Sequence, residues 1–454
     1  MGKRSKRERQ EELWIASGGI VETPGHAFYE RLNAVLSRHG FDRRVEHLCQ
    51  RYYGGSRGRP SIAPGVYFRM LLIGYFEGLG SERAIAWRVA DSLSLRKFLG
   101  YGLDETTPDH STVSRTRRLY WLSTHQAVFA WVLKVPAGEG LVRGDTISID
   151  ATTLEANAAM RSIVRRDTGE GYEEYLRLLA AEAGLENPTR AELARFDRKR
   201  KRKKTSNRDW KHPHDPDARI TKMRDGRTHL AQHKAEHAVD LSSGAVLAVT
   251  LHPADQGDTT TIFETLDEAQ VMTTGAGIGH VKEAVADKGY HSGGVVVRLN
   301  ERDVRGYVSE PDRGRRSWKG KHVEQKQVYA NRRRIRGGRG QRLQKKRAEL
   351  TERSFAHTYE TGGMRRVHLR GRTNILKRLV VHGAGFNLSL LMRALVGAGT
   401  PRQAAKRLLS SVLGLLSGLR WPHRRFSDPM ITVRASVDRL CAQVGCSAPV
   451  APIV

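Results

Sequence analysis

The chain has 454 residues, too many for one small hydrophobic core, so two or three domains are expected. Its 78 Lys and Arg residues outnumber its 48 Asp and Glu residues, and the net charge of +30 indicates a polyanionic partner, nucleic acid above all. We find no signal peptide, no uninterrupted apolar run of membrane-spanning length and only three scattered cysteines. The composition therefore favours a cytoplasmic protein with neither a membrane role nor a disulfide framework.

The first part of the chain is predicted to be helical. Residues 1–60 contain a basic arm, one helix and a linker rich in Gly and Arg, and a compact helical domain follows at residues 61–135. Its first helix, residues 66–77, is apolar on most faces. The next helix has Ser81 at its N-cap, and a third helix ends at Gly100.

The last short helix of this domain is the candidate for DNA recognition. Asp109 stands at its predicted N-cap, directly after Pro108. Short helices that end in a polar, Arg-bearing helix suggest a helix-turn-helix, whose second helix enters the major groove; the alternative is a small domain with a charged exterior. Side chains of the types found here contact bases and phosphates. The candidates are Ser111, Thr112, Ser114, Arg115, Arg117 and Arg118.

The chain then changes from helical to strand periodicity. Apolar Ile147 and Ile149 alternate with polar neighbours, which predicts a half-buried strand that ends at Asp150. No Lys or Arg lies between residues 145 and 160, so no neighbour in the sequence neutralises this carboxylate. Asp150 is therefore either the cap of a turn or helix, or a ligand for a metal ion.

A basic insertion at about residues 160–225 separates this strand from the next ones. Its run of like charges, residues 198–204, is predicted to follow a phosphate backbone. Strands are then predicted at residues 229–241, 245–251, 281–287 and 306–309, with helices at residues 260–270 and 295–300. This order predicts a mixed five-stranded sheet flanked by helices, in a three-layer α/β domain over residues 140–395.

The chain continues as helices. A stretch dense in Arg and Lys leads into a helix that carries Glu352, and an apolar helix follows at residues 375–396. The C-terminal tail, residues 396–454, is predicted to contain one more helix at residues 404–416.

Three acidic residues stand out against this basic background. Asp150 and Asp287 end strands that the predicted sheet makes neighbours, and two adjacent carboxylates repel each other unless a cation bridges them. Mg²⁺ or Mn²⁺ suits such ligands, and two ions ~3.5–4 Å apart can assist an in-line phosphoryl displacement. Glu352 is the third acid, although spacing alone does not distinguish it from Glu349 or Glu360.

Several motifs recur in the order of a known family. They are residues 146–155 around Asp150, Ala286-Asp287-Lys288-Gly289-Tyr290, Glu352-Arg353-Ser354-Phe355, residues 365–371, and Pro108-Asp109-His110-Ser111-Thr112. Over roughly residues 20–400 the chain thereby resembles the bacterial insertion-sequence transposases of the DDE class. These have a ribonuclease-H-like catalytic core preceded by a helical DNA-binding domain.

The resemblance implies roles for particular residues. Asp150, Asp287 and Glu352 would bind the two divalent ions. Basic residues after the Glu, and the turn after Asp287, would lie on the DNA. These residues are Lys288, Tyr290, Arg353, Arg365, Arg366, Arg370 and Lys377. Many relatives carry a Tyr and an Arg before the Glu and a Lys after it. Lys345 and Ala348 hold the first two positions here.

The leading hypothesis is a transposase that cuts double-stranded DNA at terminal inverted repeats and joins the freed 3′-hydroxyl to target DNA, as a homodimer on DNA. The alternatives are a metal-dependent nuclease without strand transfer and a catalytically inactive DNA-binding protein. A zinc face of His229, His233 and His237 would need a helix. The predicted strand sets these three side chains too far apart.

Overall fold

The fold was analysed in a computed structural model, which describes residues 26–53, 61–159, 162–200, 206–222, 228–312, 314 and 316–406. For residues 222 and 228–232 it describes the backbone only. The chain divides into two units, Met1–Pro401 and Arg402–Val454, and every element named below lies in the first. The predicted linker at residues 54–60 and most of the predicted helix at residues 404–416 lie outside the described residues.

The N-terminal part is all helical, as predicted. Its helices are α1 Ala27–Arg38, α2 Phe41–Cys49, α3 Pro64–Glu77, α4 Glu82–Ala90, α5 Leu93–Leu99, α6 His110–Leu119 and α7 Leu122–Gly138. Both predicted N-caps are confirmed: Ser81 Oγ accepts from the Ala84 amide at 3.1 Å, and Asp109 Oδ1 accepts from the Thr112 amide at 2.8 Å. Each cap satisfies an amide that the first turn of a helix leaves without a partner.

A mixed sheet forms the centre of the second part. Its strands are β1 Thr146–Glu155, β4 Arg219–Lys222, β5 Thr228–Asp240, β6 Val246–Pro253, β7 Glu283–Ala286 and β8 Arg305–Val308. β1 pairs antiparallel with β5 and parallel with β7, β8 is parallel to β7, and β6 pairs with β5. The predicted five-stranded ribonuclease-H-like sheet is confirmed, and the short β4 extends it by pairing with the start of β5.

One boundary was predicted wrongly. The first strand does not end at Asp150 but continues to Glu155, because the long antiparallel partner β5 supports it over its whole length. Only the parallel ladder with β7 ends beside Asp150.

The insertion is folded in the part that the structure describes. Its elements are β2 Val164–Arg165, α8 Tyr172–Glu182, α9 Arg190–Lys199 and β3 Trp210–Lys211. Trp210 is the centre of a small apolar cluster, against which Tyr172 and Tyr175 pack. The insertion therefore has a small core of its own. Residues 201–205 of the predicted basic run lie outside the described residues.

Helices cover both faces of the sheet. The flanking helices are α10 Asp258–Gly275, α11 Gly293–Glu301, α12 His322–Arg336, α13 Gly338–Phe355 and α14 Arg372–Val396. Thr261 and Thr265 of α10 reach Glu236 on one face. On the other face, Thr351 of α13 contacts Ser148, its Oγ1 lying 2.7 Å from the Ser148 Oγ. The sheet is thus the middle of three layers.

The last long helix is apolar and central. The stretch Arg372–Lys406 is long and apolar enough to span a membrane by length and composition, but 72% of its apolar window is buried inside the protein. In α14 the apolar side chains pack on α3, α7 and β6. The helix is therefore a core helix that joins the helical part to the sheet.

Candidate active site

Asp150 and Asp287 are neighbours because of the parallel ladder between β1 and β7. The last paired residues are Ile149 and Ala286. Asp150 and Asp287 are the residues that follow them, so both aspartates lie at the same end of this ladder. Asp150 keeps its side chain on the face of Ser148, since side chains alternate along a strand. The predicted juxtaposition of these two acids is thereby present.

The Asp150 carboxylate is partly buried and paired. Its Oδ1 accepts from the Ala151 amide at 2.9 Å, and its Oδ2 accepts from Arg347 Nη1 at 2.5 Å. Burial raises the pKa of Asp150 to about 6, the Arg347 guanidinium opposes that rise, and the negative charges of Asp287 and Asp258 add to it. A cation beside this carboxylate is therefore favourable, and the protein supplies one from α13.

Asp287 begins a tight turn. Its Oδ1 accepts from the Gly289 amide at 2.8 Å and caps the short helical turn Lys288–Tyr290. A Cβ at Gly289 would overlap Asp258 Oδ2 and press on Asp287 Oδ1, so a larger residue here would displace these two carboxylates. Asp258, the first residue of α10, is thus a third acid at the same edge of the sheet.

Glu352 lies elsewhere on α13. Its side chain is exposed, whereas Thr351 and Ser354 of the same helix are buried against the sheet. The residue of α13 that reaches Asp150 is Arg347. Across the described ranges, no three His, Cys, Asp or Glu side chains are grouped so that they could hold one metal ion. The structure therefore brings together two of the three predicted ligands.

The pair of aspartates fits a hard divalent cation in its donor chemistry. Carboxylate oxygens are the ligands that Mg²⁺ prefers, and Mg²⁺ is commonly held by one or two carboxylates together with water and substrate phosphate. In the structure the Asp150 carboxylate already bonds to a guanidinium, which shows that a positive charge is accommodated at this position.

The predicted DNA-contacting residues of α6 lie on two faces of the helix, one open to solvent and one packed inside the protein. Arg115 and Arg118 are exposed, and Ser111, Thr112 and Ser114 are half-buried. Positions 111, 114, 115 and 118 share one face at helical spacing. Arg117 instead points inward, where it is buried and forms an ion pair with Glu82.

The other predicted DNA contacts are also divided. Lys288, Arg366 and Arg370 are exposed. Arg353 and Arg365 are half-buried and form ion pairs of 2.6 Å with Glu349 and Glu360. Two side chains are inside the protein: Lys377 Nζ donates to the Arg117 carbonyl at 3.0 Å, and Tyr290 donates to Glu236 at 3.2 Å. These two and Arg117 are not available to DNA in this structure.

The three histidines that a helix would align as a zinc site lie on strand β5, as predicted. His237 is fully buried, with Ser354 Oγ 3.0 Å from its Nδ1 and Tyr359 OH 2.7 Å from its Nε2. His233 is buried as well, and the side chain of His229 lies outside the described residues.

Sequence reasoning missed three residues of this site. The contact of Arg347 with Asp150 spans 197 residues, so nothing local in the sequence indicates it. Asp258 has a local signal, since it is an acid at the start of a helix that follows a strand after a short loop. Nothing in the sequence around Glu236 indicates a role in the site, because its neighbours predict only a strand.

Comparisons with known proteins agree with this geometry. Two family models match the chain, one described as "Transposase domain (DUF772)" over residues 20–119 and one as "Transposase DDE domain" over residues 207–381. The first covers most of the helical part. The second runs from before β3 to residue 381 within α14, so it includes Asp287 and Glu352 but not Asp150. The search of curated proteins found no match, and neither did the search of solved structures.

Proposed function

Because the chain belongs to the insertion-sequence transposases of the DDE class, enzymes that act on DNA, we propose that it cuts DNA strands at transposon ends and transfers them to target DNA. The observation that carries the proposal is the adjacency of Asp150 and Asp287 at one sheet edge, within an otherwise strongly basic chain.

Asp150 and Asp287 would hold the divalent ions, with Glu352 as the third acid that the family resemblance assigns. The bound ions would supply an activated water and stabilise charge on the attacking and leaving oxygens of the phosphoryl displacement. Asp287 is pre-oriented by the Gly289 amide, and Asp150 by the Ala151 amide. Arg347 balances the buried charge of Asp150.

Two groups of side chains would hold the DNA around these acids. The exposed face of α6, with Arg115 and Arg118, would enter a groove or follow the backbone. Lys288, Arg366 and Arg370 would contact phosphates closer to the aspartates. Both transposon ends must be cut in one assembly, so we propose a homodimer on DNA, acting in the cytoplasm where that DNA lies.

The test is cleavage of a labelled transposon end by the full-length protein with Mg²⁺, with EDTA and as the Asp287→Asn variant. We expect cutting only by the wild type with Mg²⁺, whereas Asp287→Asn still binds the DNA. Asp267→Asn is the matched control, because Asp267 is an exposed carboxylate that forms an ion pair with Arg302. It should cut like the wild type.

The outcomes separate the rival functions. Cleavage followed by joining of the 3′-hydroxyl to a second duplex supports the transposase. Cleavage without joining indicates a nuclease. DNA binding without any cutting would overturn the catalytic proposal and leave a DNA-binding protein on a catalytic fold.

A further inference from the structure

A buried carboxylate lies behind the candidate metal ligands, on the opposite face of the sheet. Glu236 of β5 is 0% exposed. It pairs in register with Ala151, directly after Asp150, and therefore points to the α10 face. An ionised carboxylate in the interior is tolerated only when several donors satisfy it.

Glu236 has such donors, and they come from three separate elements. The hydroxyls of Thr261 and Thr265 in α10 donate to it, the second at 2.6 Å. Lys234 Nζ lies 3.1 Å away on the same strand, and Tyr290 OH donates at 3.2 Å from the turn after β7. The carboxylate therefore joins β5, α10 and this turn at one point.

The turn held in this way is the one that begins at Asp287. The Tyr290 amide donates to the Asp287 carbonyl at 3.3 Å, so Tyr290 is the last residue of the turn that Asp287 caps.

Lys234 extends the network to Asp258 at the start of α10. Its ammonium lies 3.0 Å from Asp258 Oδ1 and 2.7 Å from Thr261 Oγ1. Asp258 in turn packs against Gly289 of the turn. The network thus reaches the turn twice, once through Tyr290 and once through Asp258.

We propose that Glu236 is a positioning residue for metal binding, which fixes the Asp287 turn through Tyr290 and the start of α10 through Lys234 and the two threonines. This proposal rests on the proposed function, since it assumes that Asp150 and Asp287 hold divalent ions. Residues that orient metal ligands from behind typically contribute 10- to 100-fold to metal affinity or activity.

The chain offers a matched pair of tyrosines for the test. Tyr290 donates to Glu236 at 3.2 Å, and Tyr307 of β8 donates to Glu283 at the same distance. Both rings are buried, but Glu283 lies at the start of β7, the end opposite to Asp287. Tyr290→Phe and Tyr307→Phe therefore remove the same group from similar surroundings, and only the first should affect the metal ligands.

The first measurement is Mn²⁺ affinity of the full-length protein by titration calorimetry, without DNA. We expect Tyr290→Phe to bind Mn²⁺ about tenfold more weakly than the wild type, with Tyr307→Phe unchanged. Thermal unfolding of both variants should shift equally, which excludes a general loss of structure as the cause. Asp287→Asn gives the affinity that remains without the ligand itself.

The second measurement is DNA-end cleavage as a function of Mg²⁺ concentration. Tyr290→Phe should need about tenfold more Mg²⁺ for half-maximal cleavage, with unchanged DNA affinity and with activity recovering at saturating Mg²⁺. A variant that loses DNA binding and stability together would indicate a merely structural role and overturn the proposal.

The outcomes also distinguish this proposal from the function on which it rests. A wild type that binds Mn²⁺ and cuts DNA, with Tyr290→Phe equal to Tyr307→Phe, overturns the positioning role alone. A wild type that neither binds Mn²⁺ at Asp287 nor cuts overturns both.

Discussion

At the scale of single residues, the guanidinium of Arg347 neutralises the partly buried charge of Asp150. The two side chains are largely buried, at 25% and 17% exposure, and desolvation makes an isolated charge costly there. Arg347 is itself held by Gln344, which donates to the carbonyls of Ala286 and Tyr307. The cation is therefore fixed with respect to the ends of β7 and β8.

A buried histidine far from the site makes the stability of the protein depend on pH. His125 of α7 lies 3.0 Å from the Tyr67 hydroxyl through its Nε2 and 2.9 Å from the Trp121 carbonyl through its Nδ1. Burial lowers the pKa of His125 to about 3, and the nearby charges of Lys377 and Arg117 act in the same direction. The folded protein thus keeps this ring neutral, whereas the unfolded chain protonates it near its ordinary pKa of about 6.5.

We therefore expect His125 to weaken the fold in acid. Above pH 6.5 the ring is neutral in both the folded and the unfolded chain, so it does not lower stability. As the pH falls below 6.5, only the unfolded chain binds a proton, and the free energy of unfolding drops by about 2 kcal/mol by pH 5. Urea unfolding should show that the loss of stability between pH 7.5 and pH 5 is about 2 kcal/mol smaller in His125→Gln than in the wild type, while burial of His233, His237 and His382, which also lowers the pKa of each ring, leaves the rest of the loss in place. Tyr67→Phe should lower stability at both pH values and keep the difference. Equal pH dependence in wild type and His125→Gln would contradict the argument.

The sequence predicts the position of a side chain only where residues close to it in the chain determine that position. Asp150 and Asp287 could be predicted because strand alternation and strand order determine where they lie. The burial of Tyr290 could not be predicted. It depends on Glu236, 54 positions earlier in the chain, which supplies the acceptor for the tyrosine hydroxyl. Arg117 likewise points inward because Glu82 lies there.

At the scale of elements, asparagine side chains from two helices bond to one backbone position on each of the edge strands β6 and β8. Asn387 of α14 accepts from the Val246 amide at 2.8 Å and donates to its carbonyl at 2.7 Å. Asn331 of α12 does the same for Val308, at 3.1 Å and 2.8 Å. β6 and β8 lie at edges of the sheet, as does the short β4, and an exposed strand edge can pair with another chain. The helices satisfy these backbone groups.

Removing one of these amides should be costly. Asn387→Ala leaves a buried amide and a buried carbonyl of Val246 without their partners, and we expect a loss of about 2–4 kcal/mol in the free energy of unfolding. Asn374→Ala on the same helix is the control. Its side-chain amide donates an exposed hydrogen bond to the Arg370 carbonyl at 3.1 Å, so the loss should be below about 0.5 kcal/mol. Equal melting temperatures for the two variants would contradict the argument.

The sequence predicts elements well where periodicity is strong. The apolar runs of β6, α3 and α14 indicated where these elements lie, because a buried element needs apolar residues on most of its faces. The insertion was predicted less completely, because α9 is mostly polar and the strands β2 and β3 have two residues each. Such short strands exist only because the cluster around Trp210 holds them together.

At the scale of the whole molecule, the net charge of +30 must be reconciled with an acidic site. The aspartates repel DNA phosphates, so basic side chains near them must provide the attraction. Helix α13 carries both kinds of side chain, since Arg347 of this helix reaches Asp150 while Arg342 and Lys345, five and two residues earlier, are exposed on its solvent face. We expect the DNA backbone to follow this exposed face of α13.

The salt dependence of DNA binding tests this path. Each neutralised phosphate contributes about 0.9 to the slope of log K against log salt concentration, so the double variant Arg342→Ala/Lys345→Ala should lower that slope by about 1.8. The double variant Arg177→Ala/Arg302→Ala removes the same net charge from exposed positions on α8 and beside α11, where both side chains already form ion pairs with acids. It should leave the slope nearly unchanged, because no phosphate contact is lost. If both double variants lower the slope equally, the total charge attracts DNA without a defined path along α13, and the two residues have no special place in binding.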